Sequence, residues 1–240
     1  MKILIAGGSG ATGKHLAAQL LARGHSIHVV VRPASQIPDS WIANDKVTIT
    51  KAFINALSVE EMALLLADCQ AVASCLGHNL TLKGIYGKPR KLVREAVSLI
   101  CKAIAANAPE TPVKLVLMNT SGYSNRDINE PISPGEKIIA GLIRLLLPPF
   151  PDNEQAADYL RVTIGQYNPV LQWVVVRPDS LINEEQVTDY TLHPSPVRSA
   201  LLNPGKTSRI NVADFMTRLI DNDELWKTWK GQMPLIYNRE

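Results

Sequence analysis

Short apolar runs alternate with amphipathic stretches along almost the whole chain. The first run, Lys2–Ala6, ends at a glycine-rich turn. Residues 12–23 then place Leu16, Leu20 and Leu21 near one face of a helix, and Gly24 supplies its stop. Apolar runs recur at 27–31, 47–50, 71–75, 113–119 and 171–177, each of strand length and bounded by turn residues. Helical spacing returns at 59–67, 90–106, 138–147, 153–167 and 212–220. Ser58 suits the N-cap of the helix at 59–67, with Glu61 at the capping-box position. Asn211 suits the N-cap at 212–220, and Pro148, Pro149 and Pro151 are expected to break the chain before 153–167. Pattern quality drops over 190–206, which carries Pro194, Pro196 and Pro204.

Strands alternating with helices predict a doubly wound α/β fold around a parallel sheet, Rossmann-like in outline. The 240 residues fit one domain, with 179–210 and 221–240 expected to form a small C-terminal, substrate-side lobe. Ligands of such sheets lie at the carboxyl ends of the strands. That rule selects the loops at 7–13, 32–35, 76–80, 120–123 and 178–181.

Composition narrows the partners. A net charge of +3 with no basic stripe argues against nucleic acid. Cys69, Cys75 and Cys101 form no CxxC pair and are expected as reduced thiols in the cytoplasm. The five histidines show no metal-ligand spacing, so no metal is expected. The N-terminal apolar run stops at glycine after Ala6 and does not read as a signal peptide. The run at 138–147 is too short to span a bilayer and contains Arg144, so it is expected as a buried or pocket-covering helix, with no membrane partner. A monomer is expected.

The turn Gly7-Gly8-Ser9-Gly10-Ala11-Thr12-Gly13-Lys14-His15 satisfies three nucleotide-binding patterns: GxxxxGK, GxGxxG and GxxGxxG. A triphosphate loop needs a hydroxyl after the lysine to hold Mg²⁺, and His15 stands there instead. A dinucleotide site needs a strand before the glycines, a helix after them, and a discriminating residue about 20 positions on. Lys2–Ala6, the helix at 12–23 and Arg32 meet all three conditions. Asp or Glu at that last position would bond a ribose 2′-hydroxyl, whereas Arg32 suits a 2′-phosphate, which points to NADP(H).

With these features the chain resembles the atypical short-chain dehydrogenase/reductases, in the group with flavin/biliverdin reductase and the NmrA-like regulators. The resemblance rests on segments in matching order: Ile5 to Gly13, Val30-Val31-Arg32-Pro33, Asp68 through Gly77, Asn119-Thr120-Ser121-Gly122, Val176-Arg177-Pro178 and Ile210 to Phe215. It implies that Gly7, Gly10 and Gly13, with Ser9, Ala11 and Thr12 in the same turn, hold the pyrophosphate. Arg32 would hold the 2′-phosphate. Leu76, Gly77 and His78 would line the nicotinamide ribose, Thr120 and Ser121 would lie near the nicotinamide, and Arg177-Pro178 would mark the loop at the carboxamide.

Two departures stand out. Ala52-Phe53 replaces the Gly-Asp that many relatives carry near adenine. The YxxxK pair, in which lysine lowers a tyrosine pKa for proton exchange, is also missing: Thr163 follows Tyr159 and Leu171 follows Tyr167 at the fourth place. The expected function is therefore NADPH-dependent hydride transfer to a small acceptor that is easily reduced, such as a flavin, a quinone or another conjugated carbonyl. The alternative is a regulator that binds NADP(H) without turnover and signals through a protein partner. The candidate catalytic residues are Ser121, His78 and Tyr159. Each has a plainer reading: Ser121 as a loop hydrogen-bonder, His78 as a loop brace, Tyr159 as a core-edge residue. Tyr123 could line the substrate pocket, Lys14 could touch a phosphate, and 190–196 with His193 could form the substrate-side wall.

Overall fold

A computed structural model describes residues 1–78, 81–130 and 134–239. Residues 79 and 80 of the loop at 76–80, and 131–133 of the stretch before the apolar helix, lie outside the described residues. In chain order the elements are β1 (Lys2–Ala6), α1 (Ala11–Ala22), β2 (Ser26–Val31), α2 (Asp39–Ile42), β3 (Val47–Lys51), α3 (Val59–Leu66), β4 (Ala71–Ser74), α4 (Leu82–Tyr86), α5 (Leu92–Asn107) and β5 (Val113–Met118). They continue as α6 (Pro134–Leu146), α7 (Pro149–Asp158), β6 (Leu171–Pro178), β7 (Ser180–Ile182), β8 (Tyr190–His193), β9 (Lys206–Ser208), α8 (Arg209–Asp221), α9 (Asp223–Trp229) and β10 (Leu235–Asn238).

The main sheet runs β3-β2-β1-β4-β5-β6-β10-β8 and is parallel except for β8, which pairs antiparallel with β10. Alternation along the strands sends side chains to two cores. Leu4, Ala6, Leu115, Leu117, Trp173 and Val175 pack with residues of α3, α5 and α7 on one face. Ile3, Ile5, Val29, Val116, Val174 and Val176 pack with residues of α1, α8 and α9 on the other. A strand buried on both faces reads as a continuous apolar run, which is why β1, β2, β5 and β6 are legible in the sequence. The strand order reverses between β1 and β4, the crevice where this class of sheet binds its ligands.

Several local expectations are met and others corrected. Ser58 and Glu61 form the capping box of α3. The N-cap of α8 is Ser208, not Asn211; Asn211 is buried in the first turn, where its amide bonds Thr188 and Asn238. The prolines do mark a break, between α6 and α7, but the helix after it starts at Pro149 rather than 153. Pro149 opens α7, where a missing N–H costs nothing, and α7 ends at Asp158 in a wider turn over Tyr159–Ile164. Part of the stretch expected to form the small lobe lies in the main sheet, as β8 and β10. β7 and β9 make a separate parallel pair.

Of the two expectations for α6, pocket-covering holds and burial does not: none of residues 135–146 is buried. Its apolar face points outward, while Glu136, Lys137, Ala140 and Arg144 line a cleft.

Candidate functional site

The chain leaves β1 at Ala6 and turns through residues 7–10 into α1. Gly7 has φ +80°, and a Cβ there would stand 2.9 Å from the Cys75 carbonyl oxygen at the end of β4. Gly13 faces it from the first turn of α1, where a Cβ would lie 2.3 Å from the Gly7 oxygen and 2.8 Å from Gly8 Cα. Two missing side chains thus let the start of α1 sit directly on the end of β1. The Gly10 N–H closes the turn onto the Gly7 carbonyl at 3.0 Å. The first N–H groups of α1 have no carbonyl one turn back, and the helix dipole adds partial positive charge at this end. This is an anion cradle built from backbone.

The β2 loop is tied to that cradle. The Ser9 hydroxyl donates to Ser35 Oγ at 3.2 Å, and the Ser35 N–H donates to the Arg32 carbonyl at 2.9 Å. Arg32 is exposed at the carboxyl end of β2 and carries no ion pair among the described residues. Thr12 is buried, whereas Ala11 and Lys14 are exposed.

Beyond β4, Leu76 is half-buried and Gly77 exposed. His78 turns inward. Its Nε2 lies 2.7 Å from Asp152 Oδ2 and its Nδ1 3.2 Å from the Gly84 carbonyl. Asp152 is 1% exposed and also accepts the Val93 and Arg94 N–H groups at 2.9 Å each. His78 therefore ties the loop after β4 to α4, to the start of α5 and to α7.

The end of β5 meets the end of β6 where the Ser121 N–H donates to the Pro178 carbonyl at 2.9 Å. Thr120 Oγ1 accepts the Gly122 N–H, and Asn119 holds the Asn153 carbonyl at 2.9 Å, which docks α7 on this loop. Arg177, whose two-residue segment was expected to mark the carboxamide loop, points into the protein with 0% exposure. Its guanidinium donates to Glu130 at 2.5 and 2.9 Å, to the Met233 and Tyr123 carbonyls at 2.7 Å, and to the Pro194 carbonyl at 3.4 Å. Those contacts engage all of its N–H donors, so any contribution to a ligand at this loop falls to backbone and to neighbouring side chains.

One neighbour is Asp179, which the sequence reading passed over although it singled out the loop at 178–181. It is 8% exposed and receives the Gly205 N–H at 2.9 Å, with the Ser121 hydroxyl close enough to favour its charged form. Burial pushes its carboxyl above the usual carboxylate range, against the opposing pull of Gly205, Ser121, the Ser180 N–H and the Arg198 charge. The sequence signal was available: an acidic residue directly after an apolar strand, at the end where such sheets bind ligands.

Ser121 and Gly122 open onto a cleft of about 290 Å³, closed by one face of α6 and by residues 196–201. The expected wall at 190–196 contributes Pro196 to it, while His193 lines a separate hollow with Tyr237. Tyr123 is not a pocket residue: it is 0% exposed, with its hydroxyl on Asp158 at 2.7 Å. Tyr159 stands apart from Ser121. It follows Asn153 by six residues on a helix running back along the sheet, roughly 9 Å further down at the helical rise. There the Arg94 guanidinium covers its ring at 3.9 Å.

The residues brought together form one row along the strand ends: Arg32 and Ser35 with Ser9, Gly7 with Cys75 and Leu76, and Ser121 with Pro178 and Asp179. The strands beneath them run β2-β1-β4-β5-β6, four interstrand steps or about 19 Å. An anion cradle within the row, a guanidinium with no ion pair among the described residues at one end and a cleft at the other fit an extended dinucleotide.

Comparison with solved structures gives the same fold. The oxidoreductase ylbE from Lactococcus lactis is 19% identical with a TM-score of 0.71, over 100% of this chain and 92% of that one. A short-chain dehydrogenase/reductase from Veillonella parvula in complex with NADP is 16% identical with a TM-score of 0.70, over 99% and 94%. A proposed NADH-flavin reductase from Streptococcus pneumoniae is 17% identical with a TM-score of 0.67, over the full length of both chains. No curated protein sequence matches. A family model described as NAD(P)H-binding matches residues 7–223, which takes in the glycine turn, Arg32, Ser121 and Asp179. The chain belongs to this NAD(P)H-binding family.

Proposed function

We propose that the protein is an NADPH-dependent reductase that delivers hydride to a flavin, a quinone or another conjugated carbonyl compound. The observation that carries this reading is Arg32, exposed and without an ion pair among the described residues, beside the glycine turn where a 2′-phosphate would meet it. NADP in the Veillonella parvula relative and the flavin reductase description of the Streptococcus pneumoniae relative support it.

When bound, NADPH supplies the hydride. The chain's own residues position and protonate. No tyrosine here has lysine four residues on, so alcohol oxidation lacks its usual base. A conjugated acceptor needs a proton at the atom that gains negative charge. Asp179, kept protonated to higher pH by burial, can pass one through the Ser121 hydroxyl at the mouth of the cleft. His78 and Arg177 act as positioning residues, bracing the loops after β4 and β5.

Equilibrium titration with NADPH and NADH tests the cofactor assignment. NADPH should bind at least about tenfold tighter, and Arg32→Glu should remove that preference. Equal affinities in the unaltered protein would overturn the role of Arg32. Steady NADPH oxidation with FMN or a simple quinone supports a reductase; tight NADPH binding with no turnover across such acceptors favours the regulator.

A further inference from the structure

The outward face of α6 is unlike the rest of the surface. Ile138, Leu142, Leu145 and Leu146 are 68%, 54%, 79% and 59% exposed. At spacings of four, three and one they share one side of the helix, opposite the side that lines the cleft. Leu147, 39% exposed, extends the stripe. The helix is held at its polar side and its ends: Arg144 makes two bonds to Glu154, and the Tyr86 hydroxyl donates to the Leu146 carbonyl at 3.1 Å. The side chains of the apolar stripe take part in none of these contacts.

The Tyr86 contact places a cationic segment beside the stripe. Residues 81–94 contain five Lys and Arg and no acid. Lys88, Arg90 and Lys91 are exposed, and none has an ion pair among the described residues.

We propose that α6 and residues 88–91 form one docking face for the surface of an anionic phospholipid bilayer. The apolar stripe enters the headgroup boundary with the helix lying in the membrane plane, and the cations meet the lipid phosphates. Neither element is strong alone, and their adjacency supplies the two signals that stable peripheral binding needs. A second copy of the chain fits the face less well, because a two-fold contact would bring two unneutralised cationic segments towards one another. The arrangement crosses no bilayer; no helix among the described residues is long and apolar enough to do so.

The test is co-sedimentation of the full chain with vesicles of phosphatidylcholine alone, and of phosphatidylcholine with one third phosphatidylglycerol. Binding should be at least about tenfold tighter on the anionic vesicles and should weaken as salt is raised. The triple variant Lys88→Gln/Arg90→Gln/Lys91→Gln should lose about fivefold per cation removed. Leu142→Glu/Leu145→Glu should abolish sedimentation while NADPH affinity and the unfolding midpoint stay unchanged. No binding to anionic vesicles, or equal binding by both variants, would overturn the proposal. So would concentration-dependent dimers that disappear in Leu142→Glu/Leu145→Glu, which would assign the face to a second copy.

Discussion

Glu130→Gln is the sharpest probe of how the β5 loop is held. In the unaltered protein both side chains of the Arg177–Glu130 pair are 0% exposed. Glu130 also accepts the Asn125 N–H at 2.8 Å, so one carboxylate pins the segment from Ser121 to Glu130 against β6. The amide keeps the shape but removes the charge, and it turns one acceptor into a donor facing N–H groups. Removing one member of a buried pair typically costs about 3–5 kcal/mol, because the remaining charge is left uncompensated. At this chain length the urea m value lies near the upper end of roughly 1–3 kcal/mol/M, so the midpoint should fall by about 1–2 M. Urea unfolding followed by tryptophan fluorescence measures it, with Glu224→Gln in the exposed Lys227–Glu224 pair as a control that should not move. NADPH titration of the folded variant should give an affinity within about threefold of the original, as expected when the Arg177 N–H donors serve the fold. An unchanged midpoint with a large loss of NADPH affinity would refute the reasoning and return Arg177 to the cofactor.

Three further outcomes follow from the same contacts. Gly13→Ala should weaken NADPH binding by more than about tenfold, because its Cβ falls 2.3 Å from backbone, whereas Gly10→Ala, at 3.2 Å from the same oxygen, should be mild; titration of both variants compares them. Stability should fall as pH drops through the usual histidine range. Burial and then Lys2 hold His28 below 6.5, so the unfolded chain takes up the proton first; His28→Gln should flatten the fall in Tm, with His15 contributing in the same direction. Asp179→Asn should lower kcat for a carbonyl acceptor and erase the decline of kcat with rising pH, with NADPH affinity kept; an unaltered pH profile would remove Asp179 from the proton path.

Much of the fold was legible because β1, β2, β4, β5 and β6 are buried on both faces and so read as apolar runs. The strands that escaped notice, β7, β8, β9 and β10, are only three or four residues long. β10 exists because Leu235 and Ile236 find β6 as a partner far back in the chain, a pairing without a local signature. The helix at 138–147 covers a pocket, one of the two places expected for it, but its apolar side is not buried, for a related reason. Periodicity shows that one side is apolar and says nothing about what lies opposite it.

The sequence by itself determined the alternation of strands and helices, the glycine turn and the basic residue one strand later. Each of these is a local requirement: a backbone shape, a repeat or a charge at a set spacing. Tertiary structure decided which side chains remain available for chemistry. Arg177 and His78 stand in the expected loops, but burial and acceptor partners from distant segments turned them into braces. Asp179 became a candidate proton donor because Gly205, Ser121 and the surrounding burial converge on it. A side chain's availability depends on what packs around it, and those neighbours come from parts of the chain that no local pattern connects.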